Sequence, residues 1–170
     1  MKKGCVLLAS TLLLGPLATS AYAGLTPVQG QAKLSAAFEC RDKRDDVSNI
    51  TALVTAAGGK RVKHQAEPVG DYASIFALSK PFTIFGQPVT KLQIWQSAGD
   101  GGDASFGLNA YYNTSVAVLA MAARTPQRKV NGKQLHIRKV SNQTNLVVDT
   151  KDGQTMSFCE TTITMDDYAE

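Results

Sequence analysis

The residues of this sequence with the most distinctive chemistry are two cysteines near its ends. Cys40 lies in the triplet Phe38-Glu39-Cys40, and Cys159 lies in the triplet Phe158-Cys159-Glu160. The third cysteine, Cys5, belongs to a segment that we expect to be removed. A lone pair of cysteines in an exported protein is far more often bonded than catalytic, and the C-x-x-C spacing of redox sites is absent. The sequence therefore predicts a Cys40–Cys159 disulfide that ties the first regular element to the last.

The histidines do not form a recognisable catalytic or metal-binding pattern. His64 lies in a basic stretch, and His136 stands between Leu135 and Ile137, so it should point away from both. No H-x-x-x-H or H-E-x-x-H zinc pattern and no G-x-S-x-G nucleophile motif occurs. We therefore predict no catalytic residue, no metal site and no cofactor, with both histidines at the surface.

Two aspartates in a glycine-rich segment offer oxygen atoms of the kind that bind calcium. Asp100 and Asp103 lie in Gly99-Asp100-Gly101-Gly102-Asp103. Their order departs from the D-x-D-x-D-G pattern and lacks the closing glutamate, so a hairpin turn is the favoured interpretation. The same glycines do not form G-x-G-x-x-G and do not lead into a helix, which argues against a phosphate site.

Aromatic residues flank this loop in two strands that we expect to pair as a hairpin. Successive residues of a strand face opposite sides, so only one of Tyr111 and Tyr112 can share a face with Trp95. Tryptophan and tyrosine dominate the energetic hot spots of protein interfaces. We therefore predict a protein-binding surface formed from Trp95, Asp100, Asp103, Tyr111 and Tyr112. The alternative is that Trp95 belongs to the core.

The first 23 residues have the three parts of a cleaved signal peptide. Lys2 and Lys3 give a positive start, and the apolar run 6–17 is too short to span a bilayer. Ala21-Tyr22-Ala23 is a small-x-small cleavage pattern, which predicts a mature chain that starts at Gly24. We therefore expect a periplasmic or secreted protein.

The mature chain has the size of one domain and is almost neutral. Residues 24–170 number 147, enough for one domain with its own core. Without the two lysines of the signal peptide, 16 basic residues face 14 acidic ones, a formal charge of +2. This balance argues against nucleic acid binding, which requires a clustered cationic face. The short basic groups at 60–63 and 124–129 are interpreted as solvated connections, with an acidic partner as the minor alternative. No stretch of the mature sequence is apolar enough for insertion into a membrane.

Hydrophobic periodicity predicts an α+β fold with two helices on one face of a mainly antiparallel sheet. Helices are predicted over 47–57, ended by Gly58-Gly59, and over 116–124, ended by Thr125-Pro126. Residues 24–33 are expected to form a flexible leader, 34–164 a single domain and 165–170 an acidic tail. Alternating apolar residues and turn signals predict strands at 33–40, 61–65, 72–78, 82–85, 89–96, 105–112, 134–140, 146–150 and 154–164.

The order of these elements suggests an internal duplication. The sequence of strand, helix and three strands occurs twice, which predicts tandem β-α-β-β-β units that meet near residues 99–103. One disulfide closes the whole arrangement.

These features together favour a small exported protein that binds another protein and is not an enzyme. We expect an inhibitor or immunity-type module whose partner is another secreted or periplasmic protein. The alternative is a periplasmic carrier of a small apolar ligand, held between the helices and the sheet. A third hypothesis is a small secreted hydrolase that uses His64 or His136.

Overall fold

The computed structural model describes residues 26–41, 47–66, 72–80, 82–98 and 104–163, which together form an α+β fold. Residues 1–23, predicted to be a signal peptide, the segment 99–103 with Asp100 and Asp103, and the predicted tail 165–170 lie outside the described residues. The helices in these ranges are α1 (Pro27–Phe38), α2 (Val47–Ala56) and α3 (Val116–Ala123). The strands are β1 (Gly59–Ala66), β2 (Tyr72–Leu78), β3 (Thr83–Ile84), β4 (Gln87–Ala98), β5 (Ala104–Tyr112), β6 (Gln127–Val130), β7 (Lys133–Lys139), β8 (Thr144–Lys151) and β9 (Gln154–Ile163).

The strands form one antiparallel sheet in the order β1-β2-β4-β5-β9-β8-β7-β6, with β3 paired to β4 beside this path. The sheet consists of two meanders, each preceded by a helix. The first is β1-β2-β4-β5 after α2, and the second is β6-β7-β8-β9 after α3. The last strands of the two meanders, β5 and β9, pair with each other. The predicted hairpin of β4 and β5 is confirmed. The chain passes from one meander to the other between β5 and α3, not near residues 99–103.

The segment 33–40, predicted as a strand, is helical, and α1 begins inside the stretch predicted as a flexible leader. Alternation of Leu34 with Ala36 and Phe38 suggested a strand. However, Leu34, Ala37 and Phe38 also stand at the i, i+3, i+4 spacing of one helix face, and these three side chains are buried. The predicted β-α-β-β-β unit therefore lacks its first strand.

The start of α1 is built from local sequence signals. The Thr26 side chain accepts a hydrogen bond from the Gln29 backbone N–H, and the Gln29 side chain accepts one from the Thr26 backbone. Pro27 occupies the first turn, where its missing N–H is not needed. This capping box stabilises a helix at the point where the periodicity alone is ambiguous.

All three helices contribute buried apolar residues to a single core on one face of the sheet. The core joins Leu34 and Phe38 of α1, Leu53 of α2 and Leu119 of α3 to residues of the central strands. The two helices predicted for this face are present, and α1 is a third. Strand residues of this core include Phe76, Leu92, Ile94, Phe106, Leu108, Ala110, Tyr112, Leu146, Val148 and Cys159.

The predicted disulfide between Cys40 and Cys159 is present and lies in this core. The two Cα atoms are 5.7 Å apart across a sequence separation of 119 residues. Cys40 follows α1 in a left-handed conformation, φ 56°, and the Arg41 and Cys40 N–H groups donate to the Ala36 and Ala37 carbonyls. This is the Schellman pattern of helix ends. The bond therefore fastens the end of the first helix to the last strand, and it is compatible with an oxidising, exported location.

Within the described ranges, no helix has the length and hydrophobicity that crossing a membrane would require.

Candidate functional site

The candidate site lies on the face of the sheet opposite the helices, which we call the outer face. Residues directly opposite each other on neighbouring antiparallel strands share a face, so the register identifies its members. Tyr111, Val147 and Met156 are buried on this side without belonging to the helix-side core. One row across it runs Ala73, Trp95, Gly107, Glu160, Asn145 and Lys139, and the next runs Lys63, Ile75, Gln93, Asn109, Phe158, Val147 and Ile137.

A chain of hydrogen bonds connects the side chains at the centre of the outer face. Trp95 Nε1 donates to Asn109 Oδ1 at 3.1 Å, and Asn109 Nδ2 donates to Gln93 Oε1 at 3.2 Å. The Tyr111 hydroxyl donates to the same Gln93 oxygen at 2.6 Å. Each bond lies between β4 and β5, so the hairpin positions all four groups. The network holds the Trp95 and Tyr111 rings in fixed orientations.

The Trp95 side chain packs directly against the backbone of β5 at Gly107. Gly107 is its cross-strand partner, and a Cβ atom on Gly107 would lie 2.1 Å from the Cε2 and Nε1 atoms of the indole. No side chain larger than hydrogen can occupy position 107 while the ring keeps this position. Trp95 is half-buried, so part of its side chain is exposed to solvent.

Tyr111 is covered by a lysine of the neighbouring strand. The Lys91 ammonium lies 4.0 Å from the centre of the Tyr111 ring, within the range of a cation–π interaction. Burial raises the pKa of the Tyr111 phenol further above neutral pH, and the protonated hydroxyl donates to Gln93. Lys91 therefore holds its positive charge in a defined position over the Tyr111 ring.

The outer face carries an excess of positive charge. Among its described residues, the register places seven basic side chains and two acidic ones on this side. The basic residues surround the aromatic centre and extend to both edges of the sheet. They are Lys60, Lys63, Lys91, Arg128, Lys133, Lys139 and Lys151, and the acidic ones are Asp149 and Glu160.

The structure separates the five residues predicted for the site. Trp95 and Tyr111 share the outer face, and Gln93 and Asn109 join them. Tyr112 points the other way into the core, where its hydroxyl hydrogen-bonds to Ser157 at 2.9 Å and burial raises its pKa. Asp100 and Asp103 lie outside the described residues.

Sequence reasoning missed the residues that orient the aromatic pair. Gln93, Asn109 and Lys91 are polar residues at alternate positions of strands that also carry buried apolar ones. The sequence did contain a signal for this common face, since Lys91, Gln93 and Trp95 alternate with the apolar residues Leu92 and Ile94.

The histidines are not assembled into a catalytic group in the described residues. His136 Nδ1 lies 3.3 Å from the Thr125 carbonyl oxygen, and the side chain faces the helix side. The side chain of His64 is not described. The described ranges contain no group of three His, Cys, Asp or Glu side chains placed to hold a metal ion.

The region between the helices and the sheet is occupied by packed side chains. Leu34, Phe38, Leu92, Leu108 and Leu119 are all fully buried there. A shallow cavity of about 450 Å³ lies outside this region, along α3, between Met121, Pro126 and His136.

Comparison with protein-family models, with curated proteins and with solved structures returned no match for this chain.

Proposed function

We propose that this chain is an exported, non-enzymatic module that binds another secreted or periplasmic protein through its outer face, as an inhibitor or immunity-type protein does. The observation that carries the proposal is the ordered network of Trp95, Asn109, Gln93 and Tyr111. Hot spots of protein interfaces are rich in tryptophan and tyrosine, whose large rings lose little conformational entropy on binding. The network fixes the half-buried Trp95 ring in advance, which reduces that loss further.

The charge of the outer face indicates the chemistry of the partner. Seven basic side chains against two acidic ones complement an acidic protein surface. Lys91 lies over the Tyr111 ring, Lys60 and Lys63 lie on the β1 edge, and Lys139 lies on β7. Complementary charge of this kind accelerates association and selects the partner, and its effect decreases with added salt.

The same face supports binding better than it supports catalysis. Its centre holds amide, indole and phenol groups, which bind and orient but do not attack a substrate without an activating base. The Cys40–Cys159 bond links β9 to the end of α1 on the other face of the sheet.

A pull-down with matched variants tests the proposal. Residues 24–170 are immobilised and exposed to secreted and envelope extract, and bound protein and small molecules are identified by native mass spectrometry. We expect one stoichiometric protein partner with an acidic surface. Trp95→Ala should weaken it by a factor of about 30 or more, as for a hot spot of about 2 kcal/mol.

The matched control is Met121→Ala, which removes an exposed side chain from the opposite side of the molecule. It should leave the affinity unchanged. Equal affinity of the wild type and Trp95→Ala would refute the outer face as the binding site. A bound small molecule without a protein would favour the carrier hypothesis instead.

A further inference from the structure

A second site lies on the helix side of the sheet, where the ends of α1 and α3 approach β7 and the β3–β4 turn. It is a cavity of about 350 Å³. Its charged lining consists of Arg41 and Glu39 after α1, Arg124 after α3 and Arg138 of β7. Phe85 and Ala122 contribute apolar surface. Three arginines against one glutamate leave a formal excess of +2 in a small volume.

The single carboxylate of the cavity is already engaged. Glu39 Oε1 accepts a hydrogen bond from the Phe85 backbone N–H at 2.7 Å, and Oε2 accepts one from Arg41 Nε. Glu39 therefore balances Arg41 and holds the β3–β4 turn in place. Arg124 and Arg138 form no ion pair with a carboxylate of the described residues.

Arg138 carries a donor that its surroundings leave unsatisfied. Its Nε atom is buried and has no hydrogen-bond acceptor within the part of the chain that the structure describes. Burying a charged donor without an acceptor is unfavourable, and such groups are rare in folded proteins. A basic residue at the end of α3, such as Arg124, is explained by the helix dipole. Arg138 comes from a strand, so that explanation does not extend to it.

We propose that this cavity binds the oxyanion group of a small organic molecule, a carboxylate or a phosphate. Guanidinium groups bind both with paired, charge-assisted hydrogen bonds. The volume is in the range of small-molecule sites, and the Phe85 ring and Ala122 provide an apolar wall for the rest of the ligand. The site is on the opposite side of the sheet from the outer face, so it does not depend on the proposed function.

Isothermal titration calorimetry on residues 24–170 tests the proposal with three probes at constant ionic strength. Inorganic phosphate represents the phosphate head, acetate the carboxylate head, and benzoate a carboxylate with an apolar body. We expect binding of at least one probe in the range of about 1 mM or tighter. A preference for benzoate over acetate would identify the apolar wall as part of the site, and a preference for phosphate would identify the head group.

Arg124→Gln is the first variant because this side chain is exposed and its loss should not prevent folding. It should weaken the preferred probe by about tenfold or more, the effect of losing a charge-assisted hydrogen bond. Arg128→Gln removes the same charge from β6 on the outer face and should change the affinity by less than about twofold. Arg138→Lys, which keeps the charge but removes the planar fork, should weaken binding as strongly as Arg124→Gln.

Two results would overturn the site. The first is the absence of binding heat for all three probes at concentrations of about 10 mM. The second is equal weakening by Arg124→Gln and Arg128→Gln, which would assign the effect to the overall charge of the protein. Circular dichroism of each variant confirms that the fold is retained during the titration.

Discussion

Replacing Gly107 with alanine tests whether the outer face depends on the seating of Trp95. The new Cβ would lie 2.1 Å from Cε2 and Nε1 of the indole and 2.4 Å from Cζ2. Ordinary van der Waals contact begins at 3.4 Å, so the ring must move by about 1.3 Å. The present bond from Trp95 Nε1 to Asn109 Oδ1 is 3.1 Å long and cannot survive a movement of that size.

The expected cost follows from three contributions. Overpacking costs about 1–3 kcal/mol, and loss of the Trp95–Asn109 hydrogen bond costs about 0.5–1.5 kcal/mol. Removing a glycine from a strand interior returns about 0.5–1 kcal/mol. The free energy of unfolding should therefore fall by about 0.5–4 kcal/mol, which corresponds to a decrease in Tm of about 2–16 °C for a domain of this size.

The assay combines thermal unfolding with fluorescence. The sequence contains one tryptophan, so the emission reports Trp95 alone. Gly107→Ala should shift the emission maximum to the red, because the displaced ring becomes more exposed, and should lower the Tm. Partner binding through the outer face should weaken in parallel.

Gly30→Ala is the matched control, since a Cβ at this position of α1 meets no atom within 4 Å. It should raise the stability by up to about 1 kcal/mol, as for Gly→Ala in a helix. Unchanged emission and an unchanged Tm in Gly107→Ala would refute the reasoning, because the indole could then not be resting on Gly107.

Three further predictions concern stability. Cys40→Ser combined with Cys159→Ser should lower the free energy of unfolding by about 5 kcal/mol on the chain-entropy model, seen as a large fall in Tm, and an unchanged melt would contradict a structural role. Burial raises the pKa of Tyr112, so the unfolded chain releases that proton first and stability is lost as the pH rises above about 10. In Tyr112→Phe, the free energy of unfolding measured in urea should fall less steeply between pH 10 and 12, by about 1.4 kcal/mol per pH unit. An equal pH dependence in both proteins would contradict this prediction. Thr26→Ala should cost about 1 kcal/mol and reduce helical circular dichroism if α1 is capped as described, whereas no effect would argue against the capping box.

Several elements were predictable because their signals are local. The predicted helices 47–57 and 116–124 correspond to α2 and α3, and the strand 72–78 has the same bounds in the structure. Glycine or Thr-Pro follows each of these helices, and Asn131-Gly132 supplies the two positive φ angles of the β6–β7 turn. Each signal acts through the conformational preference of the residue itself.

The segment 33–40 was predicted wrongly because its apolar residues fit two periods at once. Leu34, Ala36 and Phe38 alternate as in a strand, while Leu34, Ala37 and Phe38 occupy one side of a helix. The Thr26 capping box lies seven residues upstream of this segment and favours the helix. The duplication predicted from strand and helix order depended on the same segment and stays a hypothesis.

The sequence by itself determined the cysteine pair, the β4–β5 hairpin and the rule that one tyrosine shares a face with Trp95. Only the tertiary structure decided that Tyr111 is that tyrosine and that Gly107 lies under the indole. It also decided that Arg138 lines one cavity together with Arg124 and Glu39. The physical reason is register. Strand pairing and helix docking join residues far apart in the chain, and a shift of one residue would exchange the two faces.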